Sequence, residues 1–399
     1  MNNPYLTKEK KYFLHTFNRQ PLLIKRAKNS RVWDERGKSY LDFYSGLAVC
    51  SVGHNQNQVV KSIHTQSSQL IHSSNFFYTK PQFLLAQALT SKIKNTRVFF
   101  SNSGAEANEL AFKLARLWAF KNKKSGRDII SFKGGFHGRT LATTAASHWH
   151  AKSNSYFDPL PTGFRSVPFN SLDQAKKAIN KNTIAFILEP VQGEGGIRVA
   201  EKLFFKGLYQ LCKKKNLLLI VDEIQSGMGR TGTLFAYEQF DVKPDIVTLA
   251  KGLAGGLPLG ATLANVAVAK HIQPGLHGST FGGNPVSCAA ALEVLKLLTS
   301  KTLHHNKIAG QRLWEELNRL TRFPSVKEVR GLGLMLGIEL RTNGAPYVSL
   351  ARDRGLLINC TQGTVLRFLP PYFMKEEEMA EALAIIESVF FTLNSRSAV

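Results

Sequence analysis

The sequence predicts an α/β fold in which helices cover a mostly parallel sheet. Short apolar runs typical of buried strands alternate along the chain with segments whose apolar residues recur every three or four positions. The chain has 399 residues, 43% of them hydrophobic, so it can bury a large core. We expect this core to be divided between two domains.

The strands are predicted from short apolar runs in the middle of the chain. These runs are Arg97–Ser101, Asp128–Phe132, Thr183–Glu189, Leu217–Asp222, Ile246–Leu249 and Ala261–Asn265. Helical periodicity between them is clearest in Ala105–Phe120 and Glu201–Lys215. Because ligands collect at the carboxyl ends of strands in such sheets, polar residues at those ends are the candidate site residues.

The last hundred residues predict a smaller α+β domain, because long helices flank short strands there. We expect helices near His305–Leu320 and Lys375–Leu393, and strands around Leu334–Leu340 and Val365–Leu369. The expected division is an N-terminal segment that joins the small domain (1–55), a large domain with the candidate site (56–298) and the small domain (299–399).

Several classes of protein are disfavoured by the composition. No run approaches the roughly 20 uninterrupted apolar residues of a membrane helix, and the first residues lack the apolar region of a signal peptide, so we expect a cytoplasmic protein without a membrane partner. The cysteines are widely spaced and are predicted to be buried, with neither disulfides nor a metal site. They are Cys50, Cys212, Cys288 and Cys360.

A formal charge of +24, from 52 Lys and Arg against 28 Asp and Glu, raises the question of nucleic-acid binding. The basic clusters at 8–11, 121–124 and 213–215 carry no interleaved aromatic residues and match no recognisable binding module. We therefore interpret them as solvated helix faces or loops and expect no nucleic-acid partner. The positive potential would still attract dicarboxylate substrates, an effect that salt screens.

Lys251 is the most informative residue for function. It follows the predicted strand Ile246–Leu249 and precedes glycines at 252, 255 and 256. A lysine that forms and releases an imine with an aldehyde cofactor needs a fixed backbone, a partly desolvated amine and small neighbours. This arrangement suggests pyridoxal phosphate, although a lysine–glycine pair is also an ordinary way to leave a strand.

Two further features suit the same cofactor. Asp222 ends a buried strand, so its carboxylate can keep a pyridine nitrogen protonated, and Gln225 can reach the phenolic oxygen. The turn Ser101–Gly104 leads into a helix whose free amides and dipole favour a phosphate. Each feature has a structural alternative, because Asp222 can simply cap an element and Ser103 can simply cap the helix.

Together these segments make the chain resemble the class III, or omega, aminotransferases of fold type I, and most closely the acetylornithine aminotransferases. The blocks that carry the resemblance span nearly the whole chain in family order. They are Phe99–Asn108, Phe132–Thr140, Glu189–Gly196, Asp222–Gly232, Lys251 with its glycines, and His277–Pro285.

The resemblance implies a large domain with a mostly parallel seven-stranded sheet, a smaller α+β domain, pyridoxal 5'-phosphate as cofactor, and a homodimer with its active site at the interface. Lys251 and Asp222 would be the catalytic residues, and Ser279 and Thr280 would act in the partner's site. The implied cofactor-binding residues are Gly104, Ala105, Phe136, Asp222, Glu223, Ile224, Gln225, Lys251 and Thr280, with Phe136 stacked on the ring.

The implied substrate-binding residues are Arg139, Glu194, Ser279 and Arg367. By resemblance, Arg139 binds the carboxylate of acetylornithine, while Arg367 leaves Glu194 to bind the α-carboxylate of glutamate. The implied reaction transfers an amino group from N2-acetyl-L-ornithine to 2-oxoglutarate, in arginine biosynthesis. Other donors stay open, namely ornithine, succinylornithine, succinyl-diaminopimelate and 4-aminobutyrate, as do an aminomutase and a basic binding protein on an inactive scaffold.

Departures from the family pattern lie near the start of the chain. The usual glycine-rich turn is replaced by 26–34, and the usual Gly-His-x-His-Pro reads Gly-His-Asn-Gln-Asn at 53–57. Phe17 stands where relatives often place a tyrosine near the substrate, so either a substrate contact is lost or Phe17 packs in the site wall. The donor is therefore less firmly predicted than the chemistry.

Overall fold

The computed structural model describes residue 5, residues 8–148 and residues 155–395. The strands are β1 (Ile24–Lys28), β2 (Arg31–Asp34), β3 (Ser39–Asp42), β4 (Thr96–Ser101), β5 (Asp128–Phe132), β6 (Phe164–Val167), β7 (Thr183–Leu188), β8 (Val191–Gln192), β9 (Arg198–Val199), β10 (Leu218–Asp222), β11 (Ile246–Leu249), β12 (Gly260–Asn265), β13 (Val326–Leu332), β14 (Met335–Leu340), β15 (Leu356–Leu357), β16 (Asn359–Thr361) and β17 (Val365–Phe368).

Helices occupy much of the chain between these strands. They are α1 (Glu9–Tyr12), α2 (Asn57–Gln69), α3 (Lys80–Lys92), α4 (Gly104–Lys121), α5 (Leu141–Ala146), α6 (Leu172–Ala178), α7 (Lys202–Lys215), α8 (Val266–Ala269), α9 (Pro285–Leu297), α10 (Ser300–Asn318), α11 (Ala345–Asp353) and α12 (Glu376–Ser395). Short 3-10 turns occur at Ser155–Phe157, Ala236–Phe240, Lys251–Ala254 and Arg319–Arg322.

The central sheet has seven strands in the order β4-β12-β11-β10-β7-β5-β6. Neighbours from β11 to β6 are parallel, whereas β12 is antiparallel to both β11 and β4. The predicted mostly parallel seven-stranded sheet is confirmed. The six apolar runs did not include β6, because this four-residue edge strand is only partly buried and lacks a continuous apolar run.

Both faces of the central sheet are covered. On β10, Leu218 and Ile220 pack in the cluster that includes α4, whereas Leu219 and Val221 pack in the cluster that includes α7. Alternate residues of a strand point to opposite faces, so a run of buried apolar residues requires a helical layer on each side. Burial of such a side chain stabilises the fold by about 1.5–3 kcal/mol, which fixes the strand ends that carry the site.

A second body is built from both ends of the chain. Strands β13-β14-β17-β16 form one sheet, and β1-β2-β3-β15 form another in which β15 pairs in parallel with β3. Phe43 packs in the same core as Phe368 and Phe390. The N-terminal segment therefore contacts the C-terminal region, while the domain boundaries at residues 55 and 298 stay a prediction.

Two compositional expectations can be compared with the described residues. Within them, no helix is long and apolar enough to cross a membrane, and no group of three or more His, Cys, Asp or Glu side chains is arranged to hold a metal ion. All four cysteines are free, and Cys212 and Cys288 are buried. The prediction of burial is wrong for Cys50 and Cys360, which are partly exposed because one lies in a loop and the other on the edge strand β16.

Candidate active site

A cavity of about 430 Å³ opens at the carboxyl edge of the central sheet. Its wall includes Glu189 directly after β7, Asp222 at the end of β10, Lys251 just after β11, and the first residues of α4, which follows β4. The volume lies within the range of roughly 300–1,000 Å³ found for small-molecule sites. The parallel strands therefore bring residues distant in sequence to one ligand-sized space.

Lys251 begins a 3-10 turn with a backbone φ of 41°, a left-handed conformation that is costly for a residue with a side chain. Gly255 and Gly256, also at positive φ, complete the turn, and Gly256 lines the cavity. Burial lowers the pKa of Lys251, and the nearby carboxylates of Glu194 and Asp222 offset only part of that effect. Its amine therefore becomes neutral, and nucleophilic, at a lower pH than that of an exposed lysine.

Asp222 is held by three polar neighbours at the cavity floor. Its Oδ2 lies 2.8 Å from His137 Nδ1 and accepts a hydrogen bond of 2.8 Å from Asn108 Nδ2, while its Oδ1 accepts one of 3.0 Å from the Ile224 amide. Thr248 Oγ1 in turn donates to Asn108 Oδ1 at 2.8 Å. These contacts fix the direction of a buried carboxylate next to the cavity.

The start of α4 forms another part of the wall. Ser103 caps the helix: its hydroxyl accepts from the Glu106 amide at 3.2 Å, and Glu106 accepts from the Ser103 amide at 3.0 Å. Ser103 therefore caps the helix, as the structural alternative proposed. The cap still leaves the amides of Gly104 and Ala105 without a partner inside the helix. A Cβ at Gly104 would lie 2.7 Å from Ile224 Cδ1, so glycine permits the close packing here.

Glu194 and Arg367 form a buried ion pair at the edge of the cavity. Arg367 is 1% exposed, and its Nη1 lies 2.6 Å from Glu194 Oε1 and 3.3 Å from Gln225 Oε1. Burial raises the pKa of Glu194, but the charge and hydrogen bond of Arg367 outweigh it, and the net pKa is below the ordinary value. This pair is enclosed and is not the surface ion pair that would carry little energy.

Arg139 lines the same cavity from an exposed position after β5. Its guanidinium carbon lies 5.7 Å from the centre of the Phe136 ring, which also faces the cavity. The cavity wall therefore includes an amine, a buried carboxylate, the guanidinium of Arg139 and the carboxylate of Glu194, which is paired with the guanidinium of Arg367 behind it. Such a set suits covalent chemistry on an amine and recognition of one or two carboxylates.

A model of the class-III aminotransferase family matches residues 14–390. The chain belongs to the class III aminotransferases. It is 46% identical over 386 residues to an acetylornithine aminotransferase of Methanocaldococcus jannaschii, with 96% of each chain covered. Its structure resembles an ornithine aminotransferase of Toxoplasma gondii (TM-score 0.96, 32% identity, 100% of this chain and 96% of that chain) and the N-acetylornithine aminotransferase of Stenotrophomonas maltophilia (TM-score 0.84, 36% identity, 98% and 100%).

Class III aminotransferases use pyridoxal phosphate, and this chain is an enzyme of that type. The cavity offers a suitable group for each end of the cofactor. Helix-terminal amides at Gly104 and Ala105 suit the phosphate, the Asp222 carboxylate suits the ring nitrogen, and the Lys251 amine suits the aldehyde. The residues present therefore fit the cofactor.

Glu223 is not among the residues that line the cavity, and its predicted contact with the cofactor stays a prediction. The side chain is completely buried on the other side of the strand end, where Oε1 accepts from the Tyr237 amide at 2.8 Å and Oε2 accepts from Ser226 Oγ at 2.9 Å. Burial raises the pKa of Glu223 to about 7. Its neighbours Asp222, Ile224 and Gln225 do line the cavity.

Ser279 and Thr280 are not among the residues that line the cavity of their own chain. Ser279 Oγ accepts from Asn102 Nδ2 at 3.2 Å and from the Gly282 amide at 2.9 Å, and Thr280 is exposed. Their action in the site of a partner subunit stays a prediction.

Several residues of the site have roles that sequence reasoning missed. Asn108 and His137 lie in the aminotransferase blocks, but only their contacts with Asp222 reveal a role. Glu189 is also buried, and it accepts from the Phe136 amide at 2.9 Å and from the Gly193 amide at 3.3 Å. Burial, reinforced by the charge of Asp222, raises the pKa of Glu189 well above its ordinary value.

The N-terminal segment reaches the cavity through a left-handed turn. Residues Ser45–Ala48 all have φ between 48° and 65°, which costs about 1–2 kcal/mol per residue for side chains other than glycine. The turn delivers Val49 to the cavity wall. The fully buried Arg230 links the segment after this turn to the C-terminal region. It donates to Ser51 Oγ at 2.8 Å and to Pro370 O at 2.6 Å.

Phe17 does not pack in the cavity wall of its own chain. It is 64% exposed, and its ring centre lies 5.4 Å from the guanidinium carbon of Arg19. In the altered segments nearby, Lys28 Nζ donates to Asn55 O at 2.9 Å and to Asn57 Oδ1 at 2.6 Å. The substituted residues thus contact one another outside the cavity.

Proposed function

We propose that this protein transfers the side-chain amino group of N2-acetyl-L-ornithine to 2-oxoglutarate, yielding N-acetyl-L-glutamate 5-semialdehyde and L-glutamate. The observation that carries the proposal is that Glu194 and Arg139 line one cavity, while Glu194 is paired with a second arginine, the buried Arg367. The name of the Methanocaldococcus jannaschii relative supports the same donor. The reaction belongs to arginine biosynthesis, and we assign the enzyme to the cytoplasm.

The substrates explain why the site needs both arginines and Glu194. Glutamate has two carboxylates and acetylornithine has one, so a site that binds them alternately must have a partner for the second guanidinium when it is idle. A buried guanidinium without a partner is costly, and Glu194 removes that cost. Arg139 binds the single carboxylate of acetylornithine, and Arg367 exchanges Glu194 for the α-carboxylate of glutamate.

When bound, pyridoxal phosphate supplies an aldehyde that holds the amine covalently and a ring that withdraws electrons. Lys251 would hold this aldehyde, and its amine, kept neutral more readily by the lowered pKa, would move the proton at the reacting carbon. Asp222 would favour the protonated ring nitrogen. Asn108 and His137 hold Asp222 in place for that task.

Other residues orient the cofactor. The amides of Gly104 and Ala105, with Thr280 of the partner subunit, would bind the phosphate, and Gln225 would contact the phenolic oxygen. Phe136 would cover one face of the ring, and Ile224 packs beside Gly104. A first half-reaction releases the aldehyde product, and a second half-reaction with 2-oxoglutarate releases glutamate, so the two substrates use one site in turn.

Ornithine is the second candidate donor, because the fold is close to that of an ornithine aminotransferase. Succinylornithine, succinyl-diaminopimelate and 4-aminobutyrate are further ω-amines that suit Arg139. An aminomutase would need no external acceptor of the amino group. The set Arg139, Glu194 and Arg367, which suits substrates with one or with two carboxylates, therefore disfavours an aminomutase.

An absorbance spectrum of the purified enzyme tests this proposal. We expect the band of the bound cofactor to be lost on addition of N2-acetyl-L-ornithine without an acceptor, at a far lower concentration than with ornithine. A band that responds only to another ω-amine would retain the chemistry and change the donor. Absence of any cofactor band, even with added pyridoxal phosphate, would contradict the proposal.

Glu194→Ala is expected to separate the two half-reactions. The change leaves Arg367 without a carboxylate partner when acetylornithine is bound, but able to receive the α-carboxylate of glutamate, so the rate with acetylornithine relative to glutamate should fall about tenfold. Single-turnover absorbance measures both rates. The exposed Glu377 supplies a matched control as Glu377→Ala, and an equal effect of Glu194→Ala on both half-reactions would rule out the exchange of partners.

We also propose a homodimer with the active sites at its interface. Phe76, Tyr78 and Phe281 are 94%, 99% and 61% exposed, and Asn75 Nδ2 links their segments by donating to Ser279 O at 2.8 Å. Exposed aromatic residues clustered in this way are typical of a protein interface. Sedimentation analysis measures the assembly, and a monomer with full activity would remove the role of the partner subunit.

A further inference from the structure

The short edge strand β16 contacts both members of the Glu194–Arg367 pair. Asn359 lies directly opposite Arg367 in the antiparallel pairing of β16 and β17. Its Oδ1 accepts a hydrogen bond of 3.1 Å from Arg367 Nε, while Arg367 Nη1 contacts Glu194. One atom of the guanidinium is therefore held by a neutral amide, and another takes part in the exchange.

The same strand and its turn hold the backbone of Glu194. Thr361 Oγ1 donates to Glu194 O at 2.7 Å, and Gln362 Nε2 donates to the same oxygen at 2.8 Å. Two residues further along, Gly196 O accepts from Arg330 Nε at 2.9 Å and from Arg330 Nη2 at 2.6 Å. The loop is thus anchored at Glu194 itself and two residues after it, so we expect the carboxylate to leave Arg367 by rotation of the side chain, without movement of the backbone.

The lack of charge on Asn359, which accepts from Arg367 Nε, determines whether Arg367 can bind a substrate carboxylate. A neutral amide orients the guanidinium without neutralising it, so the full positive charge is available to an incoming carboxylate once Glu194 leaves. A carboxylate at the same position would ionise beside Arg367 and become a permanent competitor. Gly337, on the other neighbouring strand, lies opposite Arg367 with no side chain, so Asn359 is the neighbour in register that supplies a polar side chain.

We infer that Asn359 is a positioning residue for dicarboxylate recognition: it fixes the Arg367 guanidinium while Glu194 is exchanged for the second carboxylate of the substrate. The identity of the substrates in this inference rests on the proposed function, whereas the predicted effect on binding concerns any ligand with two carboxylates. Through Asn359, β16 would help the site to distinguish glutamate and 2-oxoglutarate, which have two carboxylates, from a donor that has one.

The isosteric change Asn359→Asp tests the inference in the holoenzyme. Calorimetry with glutarate, an unreactive dicarboxylate, and with valerate, a monocarboxylate of the same chain length, gives a readout that does not depend on turnover. We expect Asn359→Asp to weaken glutarate binding about tenfold or more, and to leave valerate binding within about twofold. In single turnovers, the apparent dissociation constant for glutamate should rise by the same factor, with the limiting rate with acetylornithine retained.

Cys360→Ala is the matched control, because Cys360 lies on the same strand with its side chain on the opposite face from Asn359. The Cys360→Ala variant should bind both acids like the original enzyme.

If Asn359→Asp loses its cooperative melting transition, Asn359→Ala takes its place, with a smaller loss of affinity expected for glutarate alone. Equal effects on glutarate and valerate, or no effect on either, would overturn the inference. Failure of acetylornithine as a donor in the unmodified enzyme would instead refute the proposed function and leave the glutarate comparison intact.

Discussion

Lys251→Ala is expected to reduce turnover by about ten-thousandfold, the upper range for loss of a residue that transfers protons in the rate-determining chemistry. The loss is large because the Lys251 amine would have two roles: it would hold the cofactor covalently, and it would then move the proton. In the cavity, the neighbouring candidates for proton transfer are fixed in other hydrogen bonds, as Asp222 and Glu189 illustrate. Steady-state kinetics with acetylornithine and 2-oxoglutarate measures the loss.

Lys243→Ala provides the control for Lys251→Ala. Lys243 is exposed and precedes β11, whereas Lys251 follows it, so the two lysines lie near opposite ends of one strand. The control should retain full turnover. Without the cofactor, the Lys251 variant should melt at no lower temperature than the original protein, because the change removes an amine whose charged form is disfavoured by burial. Turnover within about a hundredfold of the original would show that another group transfers the proton.

The sequence was sufficient to predict residues whose position follows from strand ends. Asp222 and Lys251 lie at the carboxyl ends of adjacent parallel strands, so a correct strand assignment already brings them to one edge of the sheet. Gly104 belongs to the same edge because β4 has the same direction as β11, with the antiparallel β12 between them. Strand periodicity and the rule for ligand position are therefore enough for this part of the site.

Contacts that depend on side-chain direction could not be predicted in this way. Glu223 follows Asp222 in the chain, yet its carboxylate accepts hydrogen bonds from the Tyr237 segment because successive side chains leave a strand end in different directions. Asn108 reaches Asp222 only because α4 packs across β10 and β11, a tertiary contact that no spacing encodes. The left-handed turn Ser45–Ala48 contains a single glycine, so turn propensity gives no signal for it.

Asp222→Asn is expected to lower turnover by about a hundredfold to a thousandfold, the range measured when one preorganised electrostatic group is removed from an active site. The change keeps the shape of the side chain and removes its charge, so the ring nitrogen loses the group that favours its protonated form. Cofactor binding should change much less, since the phosphate and Lys251 contacts are untouched. Single-turnover rates with acetylornithine, together with titration of the cofactor, separate the two effects.

The substitution also tests the network around the carboxylate. Asn108 donates to Asp222 Oδ2 with its amide nitrogen, and Thr248 fixes that orientation by donating to Asn108 Oδ1, so the network demands an acceptor at position 222. An asparagine there can still present its oxygen to Asn108, but its amide nitrogen must then face the Ile224 amide, which is also a donor. Charge loss and one lost hydrogen bond therefore act together.

Asp241→Asn is the control, because it makes the same change at an exposed residue. Asp241 has a φ of 56°, which asparagine tolerates, so this variant should leave turnover unchanged. If Asp222→Asn retained turnover within about threefold of that control, the ring nitrogen would not need a charged partner, and the role assigned to Asp222 would have to be withdrawn.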